Sequence, residues 1–387
     1  PVRPRPQPDY CLSGCGLWAN MLNSAVSNTR FPMTDTQKPG KLGNPDATFI
    51  TDPRADPRIK AVMQTMAVLG GGITPPAPNA SYEECIAYSQ GFEDAAAASH
   101  PMERQMMPTF DSVMSTTQTI KGVDGHDITL YLHMPQDQSE AGPCIVHMHG
   151  GGMVLMTAAD PGFVRWRNSL AAAGMRVIGV EFRNGGGSLG NHPFPAGLND
   201  CASAVNWAHA NRESLGISTI VLSGESGGGN LSLATTLKAK QEGWLEQIDG
   251  IYAMCPYISG SYANPPLALV SLRENDGYSL DGAMMATMVK VYDPHNAHAH
   301  NPLAWPLQAS TEDLEGLPPH VISVNELDPL RDEGLAYYRK LLAAGVPALA
   351  RTVHGTPHAG DLMLPDVTPD LYQEANALIC RFARSLI

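Results

Sequence analysis

Residues Gly224-Glu225-Ser226-Gly227-Gly228 stand between a β-branched run, 219–223, and a run of helix-forming residues, 230–237. That is strand, tight turn and helix, with a serine at the tip. A G-x-S-x-G turn in this setting forces its serine into a strained backbone conformation and lifts the hydroxyl clear of the sheet. Glycine is expected at Gly224 and Gly227 because a Cβ there would meet the neighbouring strand and helix. The new helix aims free N–H groups at the space beside the serine. With 37 glycines in the chain, a bare match arises by chance. The flanking strand and helix are what give it meaning.

A site of this kind needs backbone donors for an oxyanion. Residues 144–148 read as a buried strand, and His149-Gly150-Gly151-Gly152 follow directly. Three glycines leave backbone N–H groups uncovered. Gly151, Gly152 and Gly227, the residue after the serine, are the expected oxyanion donors. The alternative is a flexible glycine turn. His149 is expected to brace the loop through hydrogen bonds, and His147 to pack or to face solvent.

The acid and base should follow the serine in the order Ser, Asp or Glu, His. The apolar run 320–324 ends in Asn325-Glu326-Leu327-Asp328-Pro329. Asp328 lies at a strand's carboxyl end, where functional groups gather in open parallel sheets. It is preferred over Asp332 and Glu333, which read as first-turn partners of a helix over 334–344. Glu326 is a further rival. After the run 348–353 come His354 and His358. His358 sits mid-loop among small neighbours and can lean across the sheet, so it is preferred as the base over the strand-end His354. His358 would then take the proton of Ser226 and return it to the leaving alcohol, with Asp328 orienting the ring.

Taken with His192-Pro193-Phe194-Pro195, Asp52-Pro53-Arg54, Glu274-Asn275-Asp276-Gly277-Tyr278 and Tyr292-Asp293-Pro294, these motifs resemble the hormone-sensitive-lipase-like branch of the α/β-hydrolases over roughly residues 40–387. The resemblance implies a serine carboxylesterase with Ser226, Asp328 and His358 as triad and Gly151, Gly152 and Gly227 as oxyanion hole. Many members of the branch have Asp and Ala where this chain has Glu225 and Gly227. That departure bears on the acyl pocket and leaves the mechanism alone.

Periodicity supplies the architecture. Amphipathic spacing predicts helices over 57–69 and 82–98, with a Gly/Pro-rich loop at 70–78 between them. Strands near 115–121 and 128–134 join in a hairpin at Asp124-Gly125. Strands and helices then alternate: strands at 144–147, 176–182, 220–223, 250–255, 321–324 and 349–353, with helices near 161–173, 196–214, from 227 and from about 369. The pattern is a mostly parallel sheet covered by helices on both faces. Joined to the resemblance, it implies an α/β-hydrolase fold, a mostly parallel eight-stranded sheet flanked by helices with a helical cap. Residues 1–110 are assigned to an N-terminal segment and cap helices. Residues 111–387 form the catalytic domain, with a cap insertion at about 257–304. Residues 1–45 are expected to be irregular. Met284, Met285, Met288 and Val289 either line a pocket or form plain helix core. One of Met153, Val154 and Leu155 is expected to touch substrate. Asn199 and Asp200 read as structural, and Arg183 as a brace of the oxyanion loop or one half of a surface ion pair.

Composition excludes several classes. Lys and Arg number 25 against 38 Asp and Glu, a net charge of −13 with no basic run, so nucleic acid and anionic membranes are poor partners. A neutral small-molecule ester is the expected substrate. No stretch approaches a membrane span. Seven cysteines give an odd count, and no Cys/His spacing suggests a metal, so neither metal nor cofactor is expected. Cys144 and Cys255 read as packed thiols; Cys11 and Cys15 are close enough to pair. The chain opens at Pro1, which is what a trimmed N-terminus gives. No signal-like segment is seen, and the sequon at Asn230 falls on the helix behind the serine, so a cytoplasmic enzyme is expected. A homo-oligomer is compatible with the sequence. Two other activities stay open: a catalytically silent hydrolase-fold ligand-binding protein, and an amidase or lactonase using the same triad.

Overall fold

Strands buried on both faces need not alternate, and the central apolar runs of this chain do not. The computed structural model describes residues 38–69, 73–137 and 140–387. Cys11 and Cys15, and residues 1–37 of the irregular leading segment 1–45, lie outside them. Helices α1 (Pro57–Leu69), α2 (Tyr82–Ala97) and α3 (His100–Met106) precede the strands β1 (Val113–Lys121), β2 (Asp127–Pro135) and β3 (Gly142–Met148). Then come α4 (Pro161–Ala172), β4 (Arg176–Val180), α5 (Ala196–Ala210), β5 (Ile217–Glu225), α6 (Gly227–Glu242) and β6 (Gly250–Met254). The short α7 (Ser271–Glu274), α8 (Gly282–Tyr292) and α9 (Thr311–Leu314) follow, and β7 (His320–Asn325), α10 (Arg331–Ala343), β8 (Ala348–Val353) and α11 (Pro369–Arg384) close the chain.

The eight strands lie in the order β1-β2-β4-β3-β5-β6-β7-β8. β2 is antiparallel to both its neighbours, and β4 through β8 run parallel with β3. This is an α/β-hydrolase sheet, eight-stranded and mostly parallel. After β3 the chain crosses to β4 on one side, then returns to β5 on the other. The carboxyl ends of β3 and β5 therefore flank a switch point, where open α/β sheets leave a crevice. β1, at the sheet edge, is Ser/Thr/Gln-rich and largely exposed, which suits an edge that must not recruit another strand. On one face α4 and α11 pack through Trp166, Leu170, Tyr372 and Ile379. On the other, α5, α6 and α10 cover Val146, Leu222 and Ile322.

Local chemistry explains the helix ends. Ser81 and Glu84 form a reciprocal capping box at the start of α2. Gly243, at φ 78°, ends α6 in the left-handed conformation and returns its N–H to Ala239 and Lys240. α10 begins at Arg331, three residues before the expected start, so Asp332 and Glu333 lie inside its first turn. α3 was not expected, because its mostly exposed, polar sequence carries no apolar stripe.

Residues 256–304, between β6 and β7, leave the sheet. Within them α8 packs against α2 and contributes Met285 and Met288 to the main core. A leading strap packs Phe49, Ala55 and Ile59 against Tyr278 and Leu327.

The tightest backbone contact lies where α6 meets the end of β3. A Cβ on Gly228 would overlap the Met148 carbonyl oxygen, and one on Gly224 would overlap both that oxygen and Gly228. Gly228→Ala should therefore cost on the order of 4 kcal/mol or more, or prevent folding, as read by urea unfolding and soluble yield. Gly243 has open space about it, but its φ of 78° means that Gly243→Ala should cost about 1 kcal/mol.

Candidate active site

Ser226 joins the last residue of β5 to the first of α6 at φ 57° and ψ −116°, a conformation that non-glycine residues hold only when their surroundings insist. The surroundings here are hydrogen bonds. Ser226 N–H donates to Met254 O at 2.9 Å, and Ser226 O accepts from Asn230 N and Tyr257 N, each at 3.1 Å. The Asn230 side chain is buried and donates to Tyr257 O and Ala304 O at 2.9 and 3.0 Å, which leaves no room for a glycan.

The glycine loop after β3 lies against this turn. Gly151 and Gly152 have φ of 103° and 63°. A Cβ on Gly227 would stand 2.7 Å from Gly152 N and 2.6 Å from Met153 N. Gly224 thus needs its glycine against β3, as expected, whereas Gly227 needs it against the glycine loop rather than a strand. His149 stacks on Phe182 at 4.2 Å and donates Nδ1–H to Gly150 O at 2.8 Å. Burial pushes it down to about 3, so the ring is a neutral brace.

Glu225 ties the loop to the turn. Its Oε1 accepts from Gly150 N–H at 2.8 Å, and its Oε2 faces His147 Nε2 at 3.0 Å. Burial pulls the Glu225 carboxyl upward, but His147 and the Gly150 N–H outweigh it and hold the group below the ordinary range. His147 is thus packed rather than solvent-facing, and its ring also pairs with Glu225. The Glu225 tie was not legible beforehand; the Asp-to-Glu departure flagged the position without showing its partner.

Asp328 is fully buried. Its Oδ2 meets His358 Nδ1 at 2.8 Å, while Oδ1 accepts Leu330 N–H at 2.9 Å. Burial alone would lower the His358 pKa, but the Asp328 carboxylate, with Cys255 in a lesser role, raises it well above the ordinary value. The rivals are placed elsewhere. The His354 side chain is 79% exposed and pairs with Glu326 at 3.2 Å. Asp332 pairs with Arg331 and Ser271. Glu333 stands in the first turn of α10 as expected, but it is also buried, accepts from Ile258 N and Tyr262 OH, and burial lifts it to about 7. Arg183 pairs with Asp200 and Asp124, and among the described residues it makes no hydrogen bond to the glycine loop.

Ser226, His358 and Gly150 through Gly152 line one cavity of about 170 Å³. Its walls are apolar: Leu155 and Met156 from the glycine loop, Phe163 from α4, Phe92 from α2, and Met284, Met285 and Met288 from α8. The methionines of α8 are therefore both core and lining, and Leu155 is the one of the three loop residues that faces the cavity. Val289 faces a different cavity of about 850 Å³, which touches none of the candidate residues. No hydrogen bond joins Ser226 Oγ to His358 among the described residues; such bonds are often long without substrate and tighten when it seats.

The loops that carry Asp328 and His358 are both held from outside the sheet. Asn275 donates Nδ2–H to Asp328 O at 3.1 Å and to Glu326 O at 3.2 Å. Its neighbour Glu274 is shared between Arg54 and Arg331. Ser279 Oγ accepts His358 N–H at 3.2 Å, and Asp56 N–H donates to Gly355 O at 2.9 Å. Arg54, Glu274 and Asn275 lie in stretches that resembled the family, yet nothing in their spacing foretold the role.

Residues 145–361 match the model of the α/β-hydrolase fold family. Brefeldin A esterase, a bacterial homologue of human hormone-sensitive lipase, superposes with a TM-score of 0.86 at 42% identity, covering 90% of this chain and 98% of that one. The chain belongs to the hormone-sensitive-lipase-like family of α/β-hydrolases. An arylesterase of Saccharolobus solfataricus is 32% identical over 253 residues, 64% of this chain and 78% of that protein. The carboxylesterase NlhH of Mycobacterium tuberculosis is 32% identical over 232 residues, 58% of this chain and 69% of that protein. Among the described residues, no helix is long and apolar enough to cross a membrane.

Glu225→Ala frees the glycine loop from the serine turn. Turnover should fall on the order of 10- to 100-fold with an unchanged circular dichroism spectrum, since a displacement of about 1 Å in such a loop is that costly. Glu225→Asp, which keeps the charge, should lose less than about 10-fold in the same steady-state assay.

Proposed function

We propose that this carboxylic ester hydrolase works through a covalent acyl-Ser226 intermediate on neutral esters of short to medium acyl chain. The observation that carries the reading is the buried Asp328–His358 hydrogen bond, set on the wall of the cavity that Ser226 enters from its strained turn. His358 Nε2 takes the Ser226 proton as Oγ attacks the ester carbon. The carbonyl oxygen, now an anion, is held by the N–H groups of Gly151, Gly152 and Gly227. Collapse breaks the C–O bond, and His358 returns the proton to the leaving alcohol. Water then repeats the sequence in reverse and frees the acid. Asp328 keeps the ring proton on Nδ1 and offsets the charge of the imidazolium.

Substrate class follows from the walls. A cavity of about 170 Å³ with no lysine or arginine in its lining, on a chain of net charge −13, suits an uncharged ester and a modest acyl group. Residues 256–304 and α2 act as its cap, supplying methionines that adapt to irregular apolar shapes. An amide or lactone would meet the same attacking groups; the cap and the leaving group decide between them.

Three outcomes test the reading. Ser226→Ala should lose on the order of 10⁶ in kcat against a chromogenic acetate ester; retained turnover contradicts it. His358→Ala should be nearly as damaging, while His354→Ala should stay within about threefold of wild type. Across p-nitrophenyl esters from acetate to palmitate, kcat/KM should peak at the short end.

The pH dependence has a definite sign. The base works when neutral, so activity rises as His358 loses its proton. Because the His358 pKa is raised, the acidic limb of kcat/KM should have its midpoint above 6.5. Asp328→Asn should move that limb to lower pH while reducing the rate.

A further inference from the structure

Cys255 follows the last residue of β6 at φ 35° and is buried against the Asp328–His358 pair. Its Sγ, a carboxylate oxygen of Asp328 and a ring nitrogen of His358 lie within 4.8 Å of one another. Esterase chemistry has no use for this thiol, since attack comes from Ser226 and the ring is already oriented by Asp328. Thiolate, imidazole and carboxylate are nevertheless the donor set of a three-ligand zinc site with its fourth position open. The geometry points to a binding site for one thiophilic divalent cation at Cys255, Asp328 and His358, occupation of which switches the esterase off.

Charge balance favours such an ion over the bare cluster. A thiolate and a carboxylate bring two negative charges, and the cation cancels both, so the filled site is neutral where burial penalises net charge. Burial pushes the Cys255 thiol up, so it is protonated beforehand; the ion displaces that proton, which leaves to solvent as the metal–sulfur bond forms. Nothing is oxidised or reduced. Tetrahedral zinc with bonds of about 2.0–2.3 Å sets its ligands about 3.3–3.8 Å apart, so the cluster has to contract by about 1 Å at its widest. Entry is through the substrate cavity, because the His358 side chain is 11% exposed and lines it.

The ring nitrogen within reach of both Asp328 and the ion is Nδ1, and giving it to the ion disables the base. The ion replaces the hydrogen bond to Asp328, which at 2.8 Å is too short for two ligands on one tetrahedral ion, and moves the ring proton to Nε2. Ser226 then loses its proton acceptor. The inhibition half of the inference rests on the serine mechanism proposed above; the binding half does not.

The experiment separates the two halves. Zinc chloride is titrated against wild type and Cys255→Ala, each normalised to its own activity without metal, with EDTA added afterwards. Binding is read separately from the ultraviolet sulfur-to-cadmium charge-transfer band, using cadmium chloride with Ser226→Ala and Ser226→Ala/Cys255→Ala proteins, which need not turn over. The inference expects EDTA-reversible inhibition of wild type, a Cys255→Ala enzyme on the order of 10-fold or more less sensitive, and a cadmium band smaller by one thiolate in the double variant. Equal zinc sensitivity of the two enzymes overturns the switch. Equal cadmium bands overturn the site itself. Cys255→Ser, nearly isosteric, takes the place of the alanine in both arms if the truncation fails to fold.

Discussion

Everything at the site depends on one close backbone approach. The start of α6 presses against the end of β3, with Gly224 and Gly228 on one side and the Met148 carbonyl on the other. That approach leaves no volume for a side chain, and it forces the residue between β5 and α6 into a left-handed, strained conformation. The strain serves a purpose, since it lifts the Ser226 hydroxyl into the cavity and carries Gly227 up against the glycine loop. The sheet supplies the rest by topology: the loops after β3 and β5 share the switch point, and the loops after β7 and β8 bring Asp328 and His358 to the same edge.

A strained turn and two long loops do not hold a geometry unaided. Glu225 reaches back to Gly150 and His147 and ties the Ser226 turn to the glycine loop through a buried charge. Across the site, Asn275 binds the carbonyl of Asp328, and Ser279 receives the backbone N–H of His358. The strap residue Arg54 and the α10 residue Arg331 share the Glu274 carboxylate. Segments about 220 residues apart in sequence thereby meet beside the acid loop. Buried charges paired in this way make poor sources of net stability and good devices for fixing register.

The local part of the design could be read in the sequence. β-branched runs, the serine turn and the triple glycine each encode their geometry within about ten residues, and the mostly parallel sheet follows from the alternation of strands and helices. His358 could be chosen over His354 because loop position and small neighbours are local facts. What stayed hidden was pairwise and distant. Nothing in the spacing of Arg183 told whether it would face the loop or Asp200. Glu333 is the first-turn carboxylate it looked like, but its burial stayed hidden because the groups that enclose it come from residues 258–262, far away in sequence. The methionines of α8 could be core or lining, and a helix that closes a cavity makes them both.

The central claim is that the Ser226 hydroxyl, the His358 ring and the glycine amides act on one carbon. A crystal structure of the enzyme after reaction with an alkyl fluorophosphonate tests this most directly. The account predicts phosphorus bonded to Ser226 Oγ, its phosphoryl oxygen within hydrogen-bonding distance of the N–H groups of Gly151, Gly152 and Gly227, and His358 Nε2 beside the Ser226 oxygen. Phosphorus on another side chain, or a phosphoryl oxygen turned away from those glycines, would contradict it.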